Sequence, residues 1–238
     1  MVRESRRAIK TILHPAIAPA AIRAFQARTR ACRDREQVLD LAYTFDYARI
    51  RIEPMQVRSE IASFLERIAA RQPRVVLEIG TANGGNLFLL ASVAAADALV
   101  LSIDLPRGRF GGGYPGWKRA LYRAFGRAEQ EIALVRGDSH DPETAARIAA
   151  LLGGRSVDLL FIDGDHAYEG VSRDYEMYAP LVGPGGIVAF HDIVPGPEEA
   201  VGGVPRFWRE LKRSQTAVEI VADWSQGGYG IGYVERSA

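Results

Sequence analysis

The chain has 238 residues, of which 47% are hydrophobic and 25% are charged, and its formal net charge is +1 at pH 7. These values are typical of a soluble globular protein with a large core, and they indicate no general attraction to nucleic acid or anionic membranes. Cys32 is the only cysteine, so an intrachain disulfide is excluded and a reducing compartment is expected. No stretch approaches the ~20 apolar residues of a membrane span, so we expect a cytoplasmic protein without a secretion signal.

Residues 1–53 are basic and rich in alanine, and they differ in character from the rest of the chain. The first 35 residues contain nine Lys or Arg side chains and two acidic ones, a local charge of +7. We predict an N-terminal extension, helical in pieces, over residues 1–53 and a main domain over residues 54–238. This extension could serve as a lid, as an arm for homo-oligomer formation or as a tail. The default interpretation of its basic residues is a solvated charged face.

Residues 75–85 carry the first functional signal. An apolar run at 75–77 is typical of a strand buried on both faces, and it is followed by Glu78, Gly80 and the pair Gly84-Gly85. Glycine lets a ligand approach the backbone of such a strand-to-helix turn closely. The spacing differs from the G-x-G-x-x-G of dinucleotide-binding proteins, and the absence of G-K-[ST] excludes a P-loop.

The E-x-G-x-x-x-G pattern resembles the first motif of the class I S-adenosylmethionine (SAM) methyltransferases, although an ordinary tight turn is the alternative. The resemblance implies that the loop passes under the methionine part of SAM and that the acid lies near its charged end. The cofactor-binding residues that it implies here are Glu78, Gly80, Thr81, Gly84, Gly85 and Asn86.

From residue 74 onward, predicted strands and helices alternate. The strands are expected at 74–79, 98–103, 131–136, 157–162 and 186–191, and the helices at 85–96, 115–126, 142–152, 168–179 and 204–213. Two further strands at 216–222 and 228–234 form a hairpin-like ending. The alternation predicts an α/β fold with a doubly wound, mostly parallel sheet. With the methyltransferase resemblance, it implies a seven-stranded Rossmann-like sheet with an antiparallel C-terminal strand.

An acidic residue stands at or just after each of the five predicted parallel strands. These residues are Glu78, Asp104, Asp138, Asp163 and Asp192, the last preceded by His191. Because ligands bind at the carboxyl ends of parallel strands, we expect these side chains to gather at one edge of the sheet. A helix N-cap explains any one of them, but it explains all five less easily.

Asp104 is the predicted site for the adenosine part of a cofactor. A carboxylate offers two acceptor oxygens, which suits the two vicinal hydroxyls of a ribose. NAD enzymes use the same device, so this residue alone does not identify the cofactor. By the resemblance, Asp138 and Ser139 lie near the adenine, and a turn-forming Asp after Gly137 is the alternative for Asp138.

The most specific pattern pairs I-D-G-D-H-A-Y-E-G-V, residues 162–171, with L-V-G-P-G-G at 181–186 and F-H-D at 190–192. It resembles the metal-assisted O-methyltransferases, in particular the branch of cephalosporin hydroxylase and macrolide-sugar O-methyltransferases. Catechol O-methyltransferase is a more distant relative. The resemblance implies that Asp163 binds a divalent cation and also contacts the cofactor, and that His191 and Asp192 supply further ligands. The family usually has an acid followed by an acid or amide at this pair, so His191 in the first position departs from the pattern. Histidine suits softer divalent ions better than Mg²⁺, which prefers oxygen ligands.

His166 stands where related enzymes place a catalytic base. An imidazole of ordinary pKa, about 6.5, matches an alkyl hydroxyl poorly unless a cation also lowers the pKa of that hydroxyl. The alternative is a histidine that hydrogen-bonds a neighbouring loop.

We therefore predict a SAM-dependent O-methyltransferase assisted by Mg²⁺ or Mn²⁺, with a small polyhydroxylated acceptor such as a sugar or phenolic group. Three alternatives stay open: a metal-independent SAM methyltransferase, a nicotinamide oxidoreductase, and a non-catalytic SAM-binding subunit of a complex. The missing G-x-G-x-x-G disfavours the second of these.

Overall fold

The computed structural model describes residues 2–106, 113–127 and 129–237, with their side chains from residue 14 onward. The helices α1 to α9 span, in order, Val2–Ala31, Arg35–Thr44, Arg58–Ala69, Gly85–Val93, Lys118–Arg123, Pro142–Leu152, Tyr168–Tyr178, Glu198–Val201 and Val204–Leu211. The strands β1 to β9 span Asp46–Tyr47, Ile50–Arg51, Val75–Ile79, Leu99–Asp104, Glu131–Arg136, Val157–Ile162, Val182–His191, Ala217–Ile220 and Ile231–Glu235. A short 3-10 helix, Ala179–Leu181, precedes β7.

Seven strands form one sheet in the order β5-β4-β3-β6-β7-β9-β8. Neighbouring strands from β5 to β7 are parallel, and β9 is antiparallel to both β7 and β8. The predicted fold is therefore confirmed, including the antiparallel C-terminal strand. The order reverses direction at β3, which is the switch point where open sheets of this class bind ligands.

Backbone hydrogen bonds continue past the strand ends and hold the adjoining loops in register. Gly80 N donates to the carbonyl of Ile103 at 2.8 Å, Asp163 N to that of Ile79 at 2.8 Å, and Gly137 N to that of Asp104 at 3.0 Å. These bonds align the first loop residues after β3 and β5 with the end of β4, and the first loop residue after β6 with the end of β3. The acids predicted from the strand ends are thus brought to one edge of the sheet.

Two buried clusters cover the two faces of the sheet. Val76 packs in one cluster and Leu77 in the other, because successive side chains of a strand point to opposite faces. This two-sided burial accounts for the apolar β3 sequence, whose five residues are all buried.

The basic N-terminal segment shares the first of these clusters. Phe25 of α1 packs edge-on against Phe45 and Phe88 with ring centroids 5.2 and 4.9 Å apart. Leu39 of α2 and Ile52 are buried in the same cluster. The boundary at residues 53/54 stays a prediction, and the core is continuous across it.

Several elements differ from those predicted. α1 continues through Pro15 and Pro19 instead of breaking into pieces, because proline keeps a helical φ even though it lacks the N–H donor. The pair β1 and β2 was not predicted, and α5 is shorter than the helix predicted at 115–126. β7 begins at Val182 rather than 186, because Val182 pairs with Val157 of β6, and Gly185 and Gly186 exchange backbone hydrogen bonds with Arg236.

No helix in the described part of the chain is both long enough and apolar enough to cross a membrane.

Candidate active site

A cavity of about 590 Å³ opens at the carboxyl ends of the parallel strands. This volume lies within the range of about 300–1,000 Å³ that is usual for small-molecule sites. Eight of the predicted site residues line it: Gly80, Asp104, Asp138, Ser139, Asp163, His166, His191 and Asp192. Four of the five strand-end acids thus meet in one space, and the fifth, Glu78, does not line it.

The other predicted cofactor residues do not line this cavity. Glu78 is fully buried, accepts a hydrogen bond from Asn86 Nδ2 at 3.0 Å and another from Ser102 Oγ at 2.5 Å. The Thr81 hydroxyl pairs with the same Ser102 hydroxyl. These three predicted residues, Glu78, Thr81 and Asn86, are connected by a hydrogen-bond network behind the turn, and their contact with a cofactor stays a prediction.

Burial raises the pKa of Glu78 to about 8, although the bonds from Ser102 and Asn86 oppose the shift. The carboxyl is therefore mostly protonated at neutral pH. A neutral acid suits this dry position because an isolated carboxylate there would be costly.

Tight packing explains the glycines of the turn. Gly80 has φ +101° and a Cβ on it would lie 1.9 Å from the carbonyl oxygen of Asp163. A Cβ on Gly84 would meet the Tyr122 ring at 2.6 Å, and one on Gly85 would meet the carbonyl of Ile52 at 2.1 Å. Gly84 and Gly85 therefore admit neighbouring protein, whereas Gly80 brings the cavity wall and the loop after β6 together.

Asp104 fits the role of a ribose acceptor. Its Oδ1 accepts the Gly113 N–H at 2.9 Å, while its Oδ2 is buried without a hydrogen-bond partner among the described residues. Burial raises the pKa of Asp104 to about 6, and the Gly113 hydrogen bond opposes that shift. A buried acceptor oxygen that lines a cavity is a site for a hydroxyl donor, since leaving it unpaired costs free energy.

Asp138 makes a local turn, which was the alternative interpretation of this residue. Its Oδ1 accepts the backbone N–H of His140 at 2.9 Å, and about half of its side chain is exposed. The carbonyl of Ser139 accepts the Tyr178 hydroxyl at 2.7 Å. Asp138 thus folds the loop into the cavity wall, and this role is compatible with a contact to adenine.

Asp163, His191 and Asp192 each present a ligand atom within 4.8 Å of the others. Gln56 Nε2 donates to Asp163 Oδ2 at 2.8 Å, and Tyr229 N donates to Asp192 Oδ1 at 2.9 Å. Each carboxylate is therefore held by one oxygen and turns the other, Asp163 Oδ1 or Asp192 Oδ2, towards His191. This arrangement fits a cation site in which outer hydrogen bonds orient the ligands.

Further observations support that fit. His191 Nε2 is buried and has no hydrogen-bond partner among the described residues. Asp192 has φ +60°, an unusual backbone conformation for a non-glycine residue and one that is concentrated at functional sites. One imidazole and two carboxylates form a mixed donor set, which suits an ion softer than Mg²⁺ better than Mg²⁺ itself.

His166 lies beside the same two carboxylates. Its Nε2 is 3.5 Å from Asp163 Oδ1, its Nδ1 is 3.5 Å from Asp192 Oδ2, and Nδ1 also contacts the carbonyl of Ala200 at 2.5 Å. A hydrogen bond to that carbonyl requires a proton on Nδ1. Nε2 is therefore the nitrogen through which His166 can exchange a proton.

The carboxylates of Asp163 and Asp192 raise the pKa of both His166 and His191. Burial favours the neutral form of His166, but the hydrogen bond and charge of Asp163 outweigh it and raise the pKa to about 9. Burial likewise opposes the charge of His191, and Asp163 and Asp192 raise its pKa well above the ordinary value. Burial alone would raise the pKa of Asp163, but the charge of His191 and the hydrogen bond of His166 hold it below its ordinary range.

The sequence interpretation missed three residues of this region. Gln56 reaches Asp163 from 107 positions earlier in the chain, and no local pattern marks it. Tyr229 lines the cavity from the turn before β9, with φ +62°, and its glycine-rich surroundings were the available signal. His140 also lines the cavity, and its position two residues after Asp138 was the signal there.

Comparisons with known proteins agree with this architecture. Residues 77–193 match a family model described as a methyltransferase domain. An uncharacterised protein of Sinorhizobium fredii, y4gI, is 30% identical over 147 residues, which are 60% of this chain. The chain spans 16% of the length of that relative.

Several solved O-methyltransferases share the fold. TomG from Streptomyces achromogenes, solved with SAM and involved in tomaymycin synthesis, is 19% identical with a TM-score of 0.56, over 87% of this chain and 91% of TomG. An O-methyltransferase from Bacillus cereus, solved with S-adenosylhomocysteine (SAH), is 17% identical with a TM-score of 0.57, over 87% and 92%. CalS11, a TDP-rhamnose 3'-O-methyltransferase of calicheamicin biosynthesis, is 20% identical with a TM-score of 0.56, over 91% and 93%.

The match over residues 77–193, the sheet order and the cavity at its switch point lead to the same conclusion. The chain thus contains a methyltransferase domain over residues 77–193 and has the fold of solved SAM-dependent O-methyltransferases.

Proposed function

We propose that this chain transfers the methyl group of SAM to a hydroxyl oxygen of a small polyhydroxylated acceptor, assisted by a divalent cation. The observation that carries the proposal is that one cavity is lined both by Asp104, whose Oδ2 has no hydrogen-bond partner among the described residues, and by Asp163, His191 and Asp192, whose ligand atoms lie close together. The first suits the ribose of a cofactor, and the second suits a cation beside an acceptor.

On the cofactor side, Asp104 Oδ2 would accept the ribose hydroxyls while Gly113 N holds Oδ1. Gly80 lines the same cavity and lets the loop after β6 pack closely against this wall, and Asp138 and Ser139 also line it. The other predicted cofactor residues lie behind this wall and would support cofactor binding by keeping the turn after β3 in its conformation. They are Glu78, Thr81, Gly84, Gly85 and Asn86.

On the acceptor side, the oxygen forms a bond to the methyl carbon as the carbon–sulfur bond breaks, and the sulfonium keeps that electron pair as the neutral sulfur of SAH. The acceptor proton passes to His166 Nε2, since Nδ1 is engaged by the Ala200 carbonyl. A divalent cation held by Asp163, His191 and Asp192 would lower the pKa of a coordinated hydroxyl and offset the carboxylate charge that keeps His166 protonated. Holding the reacting atoms in line contributes ~7–11 kcal/mol in favourable cases.

The acceptor class rests on the neighbours and on the cavity. CalS11 acts on a TDP-linked sugar and TomG belongs to the synthesis of a natural product, as their names state. The cavity of about 590 Å³ is of a size usual for small-molecule sites. A hydroxyl on a sugar or phenolic ring is therefore the acceptor that we propose, in a cytoplasmic enzyme that contacts no nucleic acid. Self-association through residues 1–53 remains our proposal for the extension.

The test is methyl transfer from isotopically labelled SAM to a panel of sugar nucleotides and phenols, with Mn²⁺ or Mg²⁺ and with EDTA. We expect transfer to at least one acceptor, and a loss of at least about 100-fold in rate with EDTA or in Asp163→Asn. Glu131→Gln, an exposed change in β5, is the matched control and should leave the rate unchanged. EDTA and Asp163→Asn both leaving turnover intact would contradict the metal-assisted reaction.

One observation favours a metal-independent version of the same reaction. The free carboxylate oxygens of Asp163 and Asp192 already lie 3.2–3.5 Å from the imidazoles of His166 and His191. Two imidazolium groups can balance these charges without a cation. Turnover that resists EDTA but is abolished in Asp163→Asn would support this version, and SAH binding without transfer to any acceptor would favour a non-catalytic SAM-binding subunit.

A further inference from the structure

His140 lies in the cavity wall and joins two carboxylates that the proposed reaction does not use. Its Nε2 is 3.2 Å from Asp174 Oδ1 and 3.1 Å from the Gly170 carbonyl, both on α7. Its Nδ1 is 3.7 Å from Asp138 Oδ1, on its own loop. The imidazole is thus positioned between the loop after β5 and a helix that follows β6.

Asp174 is an uncommon residue for its position. Its side chain is fully buried, and neither oxygen has a hydrogen bond of good geometry among the described residues, so the ion pair with His140 is its polar contact there. A Cβ on Gly164, another cavity residue, would lie 3.3 Å from Asp174 Oδ2. A buried carboxylate directly beneath a ligand cavity is costly unless it faces a positive charge.

Helix α7 also holds the backbone of the same loop. Tyr178 donates its hydroxyl proton to the Ser139 carbonyl at 2.7 Å, and Arg173 Nη2 donates to the His140 carbonyl at 3.2 Å. Asp138 in turn accepts the N–H of His140 at 2.9 Å. The cavity wall at residues 138–140 is therefore positioned by α7, and His140 is the side chain of this wall that can gain or lose a proton near neutral pH while facing that helix.

We propose that the His140–Asp174 ion pair is a positioning unit that fixes the Asp138–Ser139 wall of the cofactor site, so that loss of the His140 proton weakens cofactor binding. This inference rests on the proposed binding of SAM in the same cavity. It assigns His140 and Asp174 a role outside the chemistry, since they act on the cofactor through the loop that they hold.

The direction of the pH effect follows from the charges around the imidazole. Asp174 and Asp138 face it, Arg173 reaches its backbone carbonyl, and Asp141 and Glu143 follow on α6, while Asp165 packs beside Gly170. The close contact with the Asp174 carboxylate, at 3.2 Å, raises the pKa of His140 even though burial opposes it. The pair is therefore intact below this raised pKa and is lost as the pH rises through it.

The experiment measures SAH affinity by calorimetry between about pH 6 and about pH 9, a range that brackets ordinary and raised histidine pKa values. The wild-type protein should bind SAH about tenfold more weakly on the alkaline side, the change expected for loss of one positioning hydrogen bond. His140→Gln, which cannot titrate, should lack this alkaline weakening. Asp174→Asn should move it to lower pH, towards the ordinary histidine value.

Proton NMR of the histidine ring signals provides a second readout, since the chain contains four histidines. The signal that disappears in His140→Gln should titrate at lower pH in Asp174→Asn than in the wild type. His14→Gln, which changes a histidine near Trp117, is the matched control and should keep the wild-type pH profile. Variants that keep the helix content of the wild type but bind SAH more weakly would show that the substitutions act on the site and not on the fold.

An identical pH profile of SAH affinity in the wild type, His140→Gln and Asp174→Asn would overturn the inference, as would a His140 titration that Asp174→Asn leaves unmoved. A wild-type protein that binds no SAH at any pH would instead contradict the proposed cofactor. The NMR comparison distinguishes these failures because it needs no ligand.

Discussion

At the scale of single residues, burial decides what each strand-end acid can do. Glu78 and Asp104 follow similar apolar runs, yet burial raises the pKa of Glu78 to about 8 and that of Asp104 to about 6. Glu78 is therefore protonated within its own network near neutral pH, whereas Asp104 is mostly ionised and faces the cavity. Glu78 and Asp104 thus stand at equivalent strand ends, yet only Asp104 is suited to bind a cofactor as a charged group.

The first prediction concerns the acid side of the pH range. Because Asp104 must be ionised to accept two ribose hydroxyls well, SAH affinity should fall as the pH is lowered through about 6. SAH affinity should thus fall on the acid side because of Asp104 and on the alkaline side because of His140. The plot of SAH affinity against pH is therefore expected to be bell-shaped.

Asp104→Asn should bind SAH about 10- to 100-fold more weakly at neutral pH, because it loses charge-assisted hydrogen bonds of about 1.5–3 kcal/mol. The acid limb should disappear in this variant, and calorimetry measures both effects. Asp97→Asn, an exposed change before β4, is the control. Unchanged SAH affinity in Asp104→Asn would rule out the ribose contact.

At the scale of elements, Glu60 of α3 anchors the segment that leads to β9. Its Oε1 accepts Ala222 N at 2.9 Å and Gln226 Nε2 at 2.8 Å, and its Oε2 accepts Gly230 N at 2.9 Å. This segment presents Tyr229 to the cavity, and Tyr229 N is bound by Asp192. Glu60, which does not line the cavity itself, therefore positions the segment that contacts Asp192 at the end of β7.

We predict that Glu60→Gln destabilises the protein by about 1–3 kcal/mol, because an amide nitrogen replaces an acceptor oxygen that faces buried donors. Hydrogen exchange should become faster at residues 222–230 in this variant, and mass spectrometry measures it peptide by peptide. Glu66→Gln, an exposed change on the same helix, is the matched control. Exchange at residues 222–230 that stays at the wild-type rate would contradict the anchoring role.

Helices and strands were predictable to the extent that their signals are local. The apolar runs of β3 and β4 and the Pro142 start of α6 predict their elements from a few neighbouring residues. The early start of β7 was not predictable, because Gly185 and Gly186 pair with Arg236, about 50 residues away, and such pairing leaves no local pattern.

The same distinction applies to the site. Five strand ends identify Asp104, Asp163 and Asp192 because parallel topology brings them together. Gln56 and Tyr229 approach these residues from distant parts of the chain, and the inward direction of Glu78 depends on Ser102 of the next strand. Chain topology therefore predicts which loops meet. Which residues hydrogen-bond the candidate metal ligands Asp163 and Asp192 depends on tertiary packing.

At the scale of the whole molecule, the N-terminal segment is structurally part of the core. Phe25 is fully buried and packs against Phe45, Phe88 and Phe125, three rings from different elements. α4, which carries Phe88, begins at Gly85, where the chain also packs closely against Ile52. The segment thus supports the turn after β3 from outside.

Phe25→Ala should lower the free energy of unfolding by about 3–5 kcal/mol, the usual cost of truncating a buried phenylalanine, and the entire chain should unfold in one transition. Chemical denaturation followed by both fluorescence and circular dichroism measures this. Arg23→Ala, an exposed change on the same helix, should stay within about 0.5 kcal/mol of the wild type. A separate early transition with an unchanged main one would show that residues 1–53 unfold independently of the sheet.

The central claim is that acids from separate strand ends form one cavity that takes a cofactor and a cation side by side. A crystal structure with SAH and Mn²⁺, with the metal located by its anomalous signal, tests this most directly. We predict that the ribose hydroxyls bind Asp104 Oδ2 and that the anomalous peak lies within ligand distance of Asp163, His191 and Asp192. SAH bound away from Asp104, or an anomalous peak elsewhere while these three side chains remain paired with one another, would contradict it.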